Sequence, residues 1–156
     1  AAVRRMSGGW LDWLRALEAR NAAAMVTVLA TEGSAPRGAG TRMLISDQSC
    51  VGTIGGGSLE FQAIEQARAI LALPPGSWRI QDFPLGPLLG QCCGGRVRLL
   101  VEHVDRASLG WLDQADEGRT LISRLTRTHV ERRIGDEREV GKIGRASCRE
   151  RVCYVV

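Results

Sequence analysis

Apolar and polar positions change period several times along the chain. Trp10, Leu14 and Leu17 recur at helical spacing, with Leu11 and Trp13 beside them and Asp12, Arg15, Glu18 and Arg20 on the polar side. A helix is predicted over 10–21. Residues 24–30 form a short, apolar, partly β-branched run, the signature of a buried strand. It stops at 32–40, where Gly33, Gly38, Gly40 and Pro36 demand a loop. Strands are predicted over 42–46 and 50–54, with a turn at 47–49 between them. Gly55, Gly56 and Gly57 then open a helix for which Ser58 is the expected N-cap. Leu59, Ala63, Ala67, Ile70 and Leu71 follow at helical spacing, and Pro74, Pro75 and Gly76 end the segment. Residues 78–83 alternate as a strand does. A loop rich in Pro and Gly covers 84–95, and 97–104 is a mostly apolar strand. A short helix near 108–115 and a hairpin across 120–134 complete the pattern.

Helices and strands thus alternate through the first half. The fold class this implies is α/β, a mixed β-sheet flanked by helices in a single domain. The two most apolar strands, 24–30 and 97–104, belong at the centre of the sheet. A chain of 156 residues is long enough for one domain with a substantial core. Apolar residues at 44% and charged residues at 24% are ordinary for a soluble globular protein. No apolar run approaches the roughly 18 residues of a membrane span, and no secretory signal is visible, so the expected setting is cytoplasmic and away from membranes.

The last residues change the charge and cysteine counts. The segment 143–152 can be written in codons that resemble a sequencing-library adapter read through in frame, so 142–156 is expected to be a non-native tail. Lys142, Arg145, Arg149 and Arg151 against Glu150 carry +3 of the formal +4, leaving +1 for residues 1–141. A nucleic-acid partner is therefore not indicated. The cysteines fall from five to three: Cys50, Cys92 and Cys93. An odd number with an adjacent pair is no disulfide framework and fits a reducing compartment.

Three segments can carry chemistry. In the stretch 52–60 a strand runs through Gly55, Gly56 and Gly57 into a helix, where bare backbone amides and the helix N-terminus suit an anion. No lysine follows the glycines as in a Walker loop, and a tight strand-to-helix turn explains the same residues. Glu60, in the first helical turn, opposes a close phosphate but stabilises the helix dipole. In the stretch 33–40, Pro36 and the glycines fix the path of a loop, and Arg37 and Arg42 either grip a phosphate or carboxylate or are merely solvated. In the stretch 89–95, Cys92 and Cys93 on a glycine-flanked loop are either reachable thiols, soft ligands once deprotonated, or small packed residues. Zinc is not indicated: there is no CxxC, and His103 and His129 lack ligand-like spacing to the cysteines. His103, within a strand, reads as structural. No GxSxG elbow supports acyl transfer.

Taken in order, Gly33 to Arg37, Gly40 to Leu44, Gly52 to Gly57 with Leu59 and Glu60, and Leu85, Gly86 and Pro87 with Gln91 to Gly95 resemble the xanthine dehydrogenase accessory proteins of the XdhC/CoxI-like family. The resemblance spans roughly residues 10–134. It implies a cytoplasmic chaperone that binds the molybdenum cofactor (molybdopterin) as cargo, protects it during sulfuration by a cysteine desulfurase, and delivers it to the xanthine dehydrogenase apo-enzyme, usually as a homo-dimer. Cys93 matches the cysteine of the family's Cys-Gly-Gly motif and is implied to contact molybdenum, with Cys92 a second thiol beside Gly94 and Gly95. Gly55, Gly56 and Gly57 would hold the pterin phosphate or the dithiolene side, with Ser58 next to them. Arg37 and Arg42 would balance the cofactor's charge, with Ser34 in the same loop. Ser58 departs from relatives that carry His or Cys there, which weakens any metal role at that position. Family members continue into a Rossmann-like domain, whereas residues 1–141 here correspond to the N-terminal domain alone.

Two other readings stand beside the chaperone without turnover. One is a thiol-dependent redox or sulfur-transfer enzyme using Cys92 and Cys93, although a bridge between adjacent cysteines strains the peptide that links them. The other is an interaction domain whose glycine loops only turn corners.

Overall fold

A computed structural model of the protein describes residues 4–5, 9–17, 21–33, 35, 37–47, 49–86, 94–115, 119–136, 138–139 and 153–155. The chain divides into two compact units, Ala1–Val104 and Asp105–Val156. The first holds strand β1 (Arg4–Arg5), helix α1 (Trp10–Ala16), β2 (Ala24–Glu32), β3 (Arg42–Ile45), β4 (Ser49–Gly52), helix α2 (Gly57–Ile70), β5 (Trp78–Pro84) and β6 (Arg96–His103).

The strands form one sheet in the order β1-β4-β3-β2-β6-β5. Every pair is antiparallel except β1 on β4, so the sheet is mixed and the α/β expectation holds. β2 and β6, the two runs assigned to the centre, pair with each other, and each has a second neighbour, β3 and β5 respectively. β2 is longer than the predicted 24–30 because it continues past an irregularity between Val28 and Ala30 and stays paired to β6 as far as Glu32 opposite Arg96.

Ala24, Val26, Val28, Met43, Ile45, Val97, Leu99 and Val101 form a continuous core with Leu59, Ala63, Ala67 and Ile70 of α2. Those four positions share one face of the helix, which packs against β6, β2 and β3. α1 meets β3 and β4. Strand alternation puts Arg42 and Leu44 on the sheet face opposite Met43 and Ile45, and Trp10 of α1 covers Arg42 there. The helix predicted over 10–21 ends early, at Ala16, because Leu17 turns to an extended conformation (ψ 113°) that buries its side chain.

α2 carries the chain from β4, near one edge of the sheet, to β5 at the other. The return is pinned by His103, whose buried ring donates Nδ1–H to the Leu73 carbonyl at 2.7 Å. The backbone of His103 also exchanges bonds with Gly76 and Ser77. This is the structural role its sequence context implies.

The second unit contains 3-10 turns at Arg106–Ser108 and Gly110–Gln114, where a single short helix is predicted, and the hairpin β7 (Thr120–Leu125) and β8 (Val130–Gly135). A third strand, β9 (Cys153–Val155), lies against β7. The remainder of the tail expected to be non-native, 142–152 and 156, falls outside the described residues.

Candidate functional site

The register brings all three glycine-bearing segments to one end of the first unit's sheet. Glu32 at the end of β2 lies opposite Arg96 at the start of β6. Pro84 at the end of β5 is also opposite Arg96, and Gly52 at the end of β4 is opposite Met43 near the start of β3. The loop after β2, the turn from β4 into α2 and both flanks of the loop between β5 and β6 therefore emerge on the same side. Across that end β4 and β6 are three strand spacings apart, at about 4.8 Å each.

Two of the segments touch. Gly33 adopts φ +66°, and a Cβ built on it would stand 3.2 Å from the Cα of Gly95. Side chains are excluded from this contact, so backbone meets backbone. On the other flank the Leu85 N–H donates to the Gly95 carbonyl at 2.6 Å. Gly94 is exposed, with open space where its Cβ would be. Gly86 and Gly94, at this end, flank the stretch that contains Cys92 and Cys93. Those two cysteines, like Ser34, lie outside the described residues.

The turn into α2 is built from three consecutive glycines in the left-handed region: Gly55 at φ 120°, Gly56 at 77° and Gly57 at 66°. No other residue adopts three such conformations in succession at tolerable cost. Gly56, not Ser58, is the N-cap, and no side chain caps the helix start. Ser58 lies within the first turn and is exposed, because the left-handed glycines start the helix two positions earlier than a Ser58 cap requires.

Glu60 holds this turn. The residue as a whole is 6% exposed. It accepts the Gly56 N–H at 2.9 Å and the Thr53 hydroxyl at 2.7 Å. The Thr53 oxygen in turn accepts the Gly55 N–H at 3.1 Å. Two of the amides that the sequence reading assigns to a ligand phosphate are thus bonded inside the protein, to its own anion and to the hydroxyl that the anion orients.

Arg42 is the first residue of β3. It is 8% exposed, donates to the Gly40 carbonyl at 3.1 Å and lies 4.3 Å from the centre of the Trp10 ring. Its guanidinium therefore serves the fold at the root of the loop, as a cation over an aromatic face. Arg37, in the same loop, is exposed. Sequence reasoning missed Arg96, the exposed first residue of β6, which follows Gly94 and Gly95 directly. Its neighbour Arg98 makes a two-pronged pair with Asp82 at 2.8 and 3.0 Å. Hydrogen bonding from Arg98 holds the Asp82 carboxyl below its usual range; the charges of Arg98 and Arg96 add to this, against a weaker upward push from desolvation. Among the described residues no cluster of three or more His, Cys, Asp or Glu is placed to hold a metal ion, and no helix is long and apolar enough to cross a membrane.

The class defined by this geometry is an α/β domain whose sheet ends in glycine-lined backbone turns. Residues 16–79 match the model of the XdhC and CoxI family. The chain is also similar to a solved structure named as a xanthine dehydrogenase from Bacillus halodurans, with 21% identity and a TM-score of 0.70 over 94% of this chain and 51% of that one. That likeness is one of fold, and the present chain spans about half the length of that protein. No curated protein matches the sequence.

Proposed function

We propose that this domain binds the molybdenum cofactor as cargo and serves as an accessory to xanthine dehydrogenase, sheltering the cofactor during sulfuration by a cysteine desulfurase and passing it to the apo-enzyme, with no turnover of its own. The observation that carries this reading is the meeting of Gly33 and Gly95 backbone at one end of the sheet, within a chain that matches the XdhC and CoxI family. A flat, anionic, sulfur-bearing guest needs close backbone approach, a soft thiol and balancing cations. In this reading Cys93 is the thiol that meets molybdenum, Cys92 is the second thiol, and Gly94, Gly95 and Ser34 line the approach. Arg37 faces the guest's charge. Gly55, Gly56, Gly57 and Ser58 form the wall of the site on the α2 side, with Arg42 fixing the loop from beneath. The working form is a homo-dimer.

The test is retention of pterin. Protein purified from a host that makes the cofactor should release, on oxidation, a fluorescent pterin in near-stoichiometric amount, and Cys93→Ala should lose most of it. Absence of pterin from the wild-type chain removes the reading. Equal retention by Cys93→Ala removes the thiol from it.

A further inference from the structure

The turn at the head of α2 is the place where a phosphate is first sought, yet it already contains an anion. The Glu60 carboxylate takes the Gly56 N–H and, through Thr53, organises the Gly55 N–H. A second negative group brought there would lose those donors and face a buried carboxylate in a low-dielectric setting, where like charges repel strongly. The helix dipole favours one anion at this point, and Glu60 is that anion.

At the other side of the same sheet end the balance is reversed. Arg96 is exposed at the first position of β6, and the backbone beside it is Gly94, Gly95 and Gly33. No side chain from those three positions stands between its guanidinium and a guest. Arg98, two residues on, is engaged by both oxygens of Asp82. Arg96 lies opposite Glu32 in register, but among the described residues no carboxylate comes within ion-pair distance of it. Arg37 supplies a second exposed cation from the loop that begins at Gly33. A planar guanidinium beside the open backbone of Gly94 can grip a phosphate monoester with two parallel bonds.

We infer that Arg96 receives the phosphate of the bound molecule, and that the Gly55–Gly57 turn, closed by Glu60, does not. The inference rests on the pterin reading for the identity of the ligand but on Arg96 itself for the site.

The experiment measures binding of three probes to the full chain: neopterin, neopterin carrying a phosphate ester, and inorganic pyrophosphate. The wild-type protein should prefer the phosphate ester to neopterin by about tenfold, the effect of one charge-assisted contact. Arg96→Gln should abolish that preference and leave neopterin affinity unchanged, and Arg96→Lys, which keeps the charge but not the fork, should retain part of it. Glu60→Gln should leave the preference as it is. A preference that survives in Arg96→Gln, or one that rises about tenfold in Glu60→Gln, overturns the inference and returns the phosphate to the α2 turn. If neither pterin binds but pyrophosphate binds and is lost in Arg96→Gln, the pterin reading falls and the anion site stands. If the wild-type chain binds neither pyrophosphate nor the phosphate ester, the anion site falls.

Discussion

The Glu60 carboxylate accepts the Gly56 N–H at 2.9 Å, tying the first turn of α2 back to the glycines that precede it. Replacing Glu60 by Ala strands that donor and the Thr53 hydroxyl in a buried place. The expected loss is about 1–3 kcal/mol, the cost of an unsatisfied buried group. Thr53→Val should cost about 1 kcal/mol, and the double variant should lose less than the two singles together, because the residues share one network. Urea denaturation of the four proteins measures this; strict additivity would show that the network is not coupled.

The pairing of Arg42 with Trp10 predicts a stability effect, not a binding one. Arg42→Gln should lower stability by about 1–2 kcal/mol through the lost ring contact and the bond to Gly40. Pterin retained per folded molecule should stay at the wild-type level. A thermal melt and the fluorescence assay on the same preparation separate the two; a folded Arg42→Gln protein that has lost its pterin would restore Arg42 to the ligand.

The contact of Gly33 with Gly95 distinguishes two glycines of one loop. Gly33→Ala forces a Cβ into a left-handed residue and against the Gly95 backbone, and should cost about 1–3 kcal/mol. At Gly38 nothing lies within 4 Å of an added Cβ, and Gly38→Ala should stay within about 0.5 kcal/mol of wild type. Equal effects at the two positions would mean that the loop after β2 does not rest on the start of β6.

Two carboxylates predict the acid response. Asp82 is held below its ordinary value of 3.8, first by its bond from Arg98. Glu131 is held below 4.5, first by its bond from Arg124 and then by His129. A depressed carboxyl stabilises the fold above the unfolded value, and that contribution disappears as pH falls through the lower folded value. Asp82→Asn should therefore destabilise the protein at pH 7 by about 0.5 kcal/mol, as expected for an exposed pair. The variant should converge on wild type once the pH has fallen below the depressed folded value of Asp82. A difference that persists unchanged at the acid end would assign the effect to packing.

Much of this architecture is legible in period alone. Strands β2 and β6 each hold an apolar run, Met25 to Leu29 broken only by Thr27 and Leu99 to Val101, and α2 shows Leu59, Ala63, Ala67 and Ile70 at helical spacing because each of those side chains faces the sheet. Residues whose role depends on distant partners escape such a reading. Ser58 has the chemistry of a cap, but three left-handed glycines start the helix before it. Arg42 has the chemistry of an anion clamp, but strand alternation aims it at Trp10, which is 32 positions away in the chain. Glu60 is visible as a first-turn acid, yet its bond to Thr53 requires the backbone to reverse between them. Arg96 carries no local pattern; its position at the rim becomes apparent only from the pairing of β6 with β2 and β5.

The pairing of β2 with β6 also governs how this chain can be cut. The stretch 16–79 that matches the family stops before Arg96, so a polypeptide trimmed to it keeps β2, β3, β4 and α2 but lacks β6. One whole side of β2, from Ala24 to Glu32, would then offer its amides and carbonyls to any extended chain nearby. Such a fragment should associate with itself in ribbons and not remain monomeric, and adding back a peptide of β6 should redissolve it.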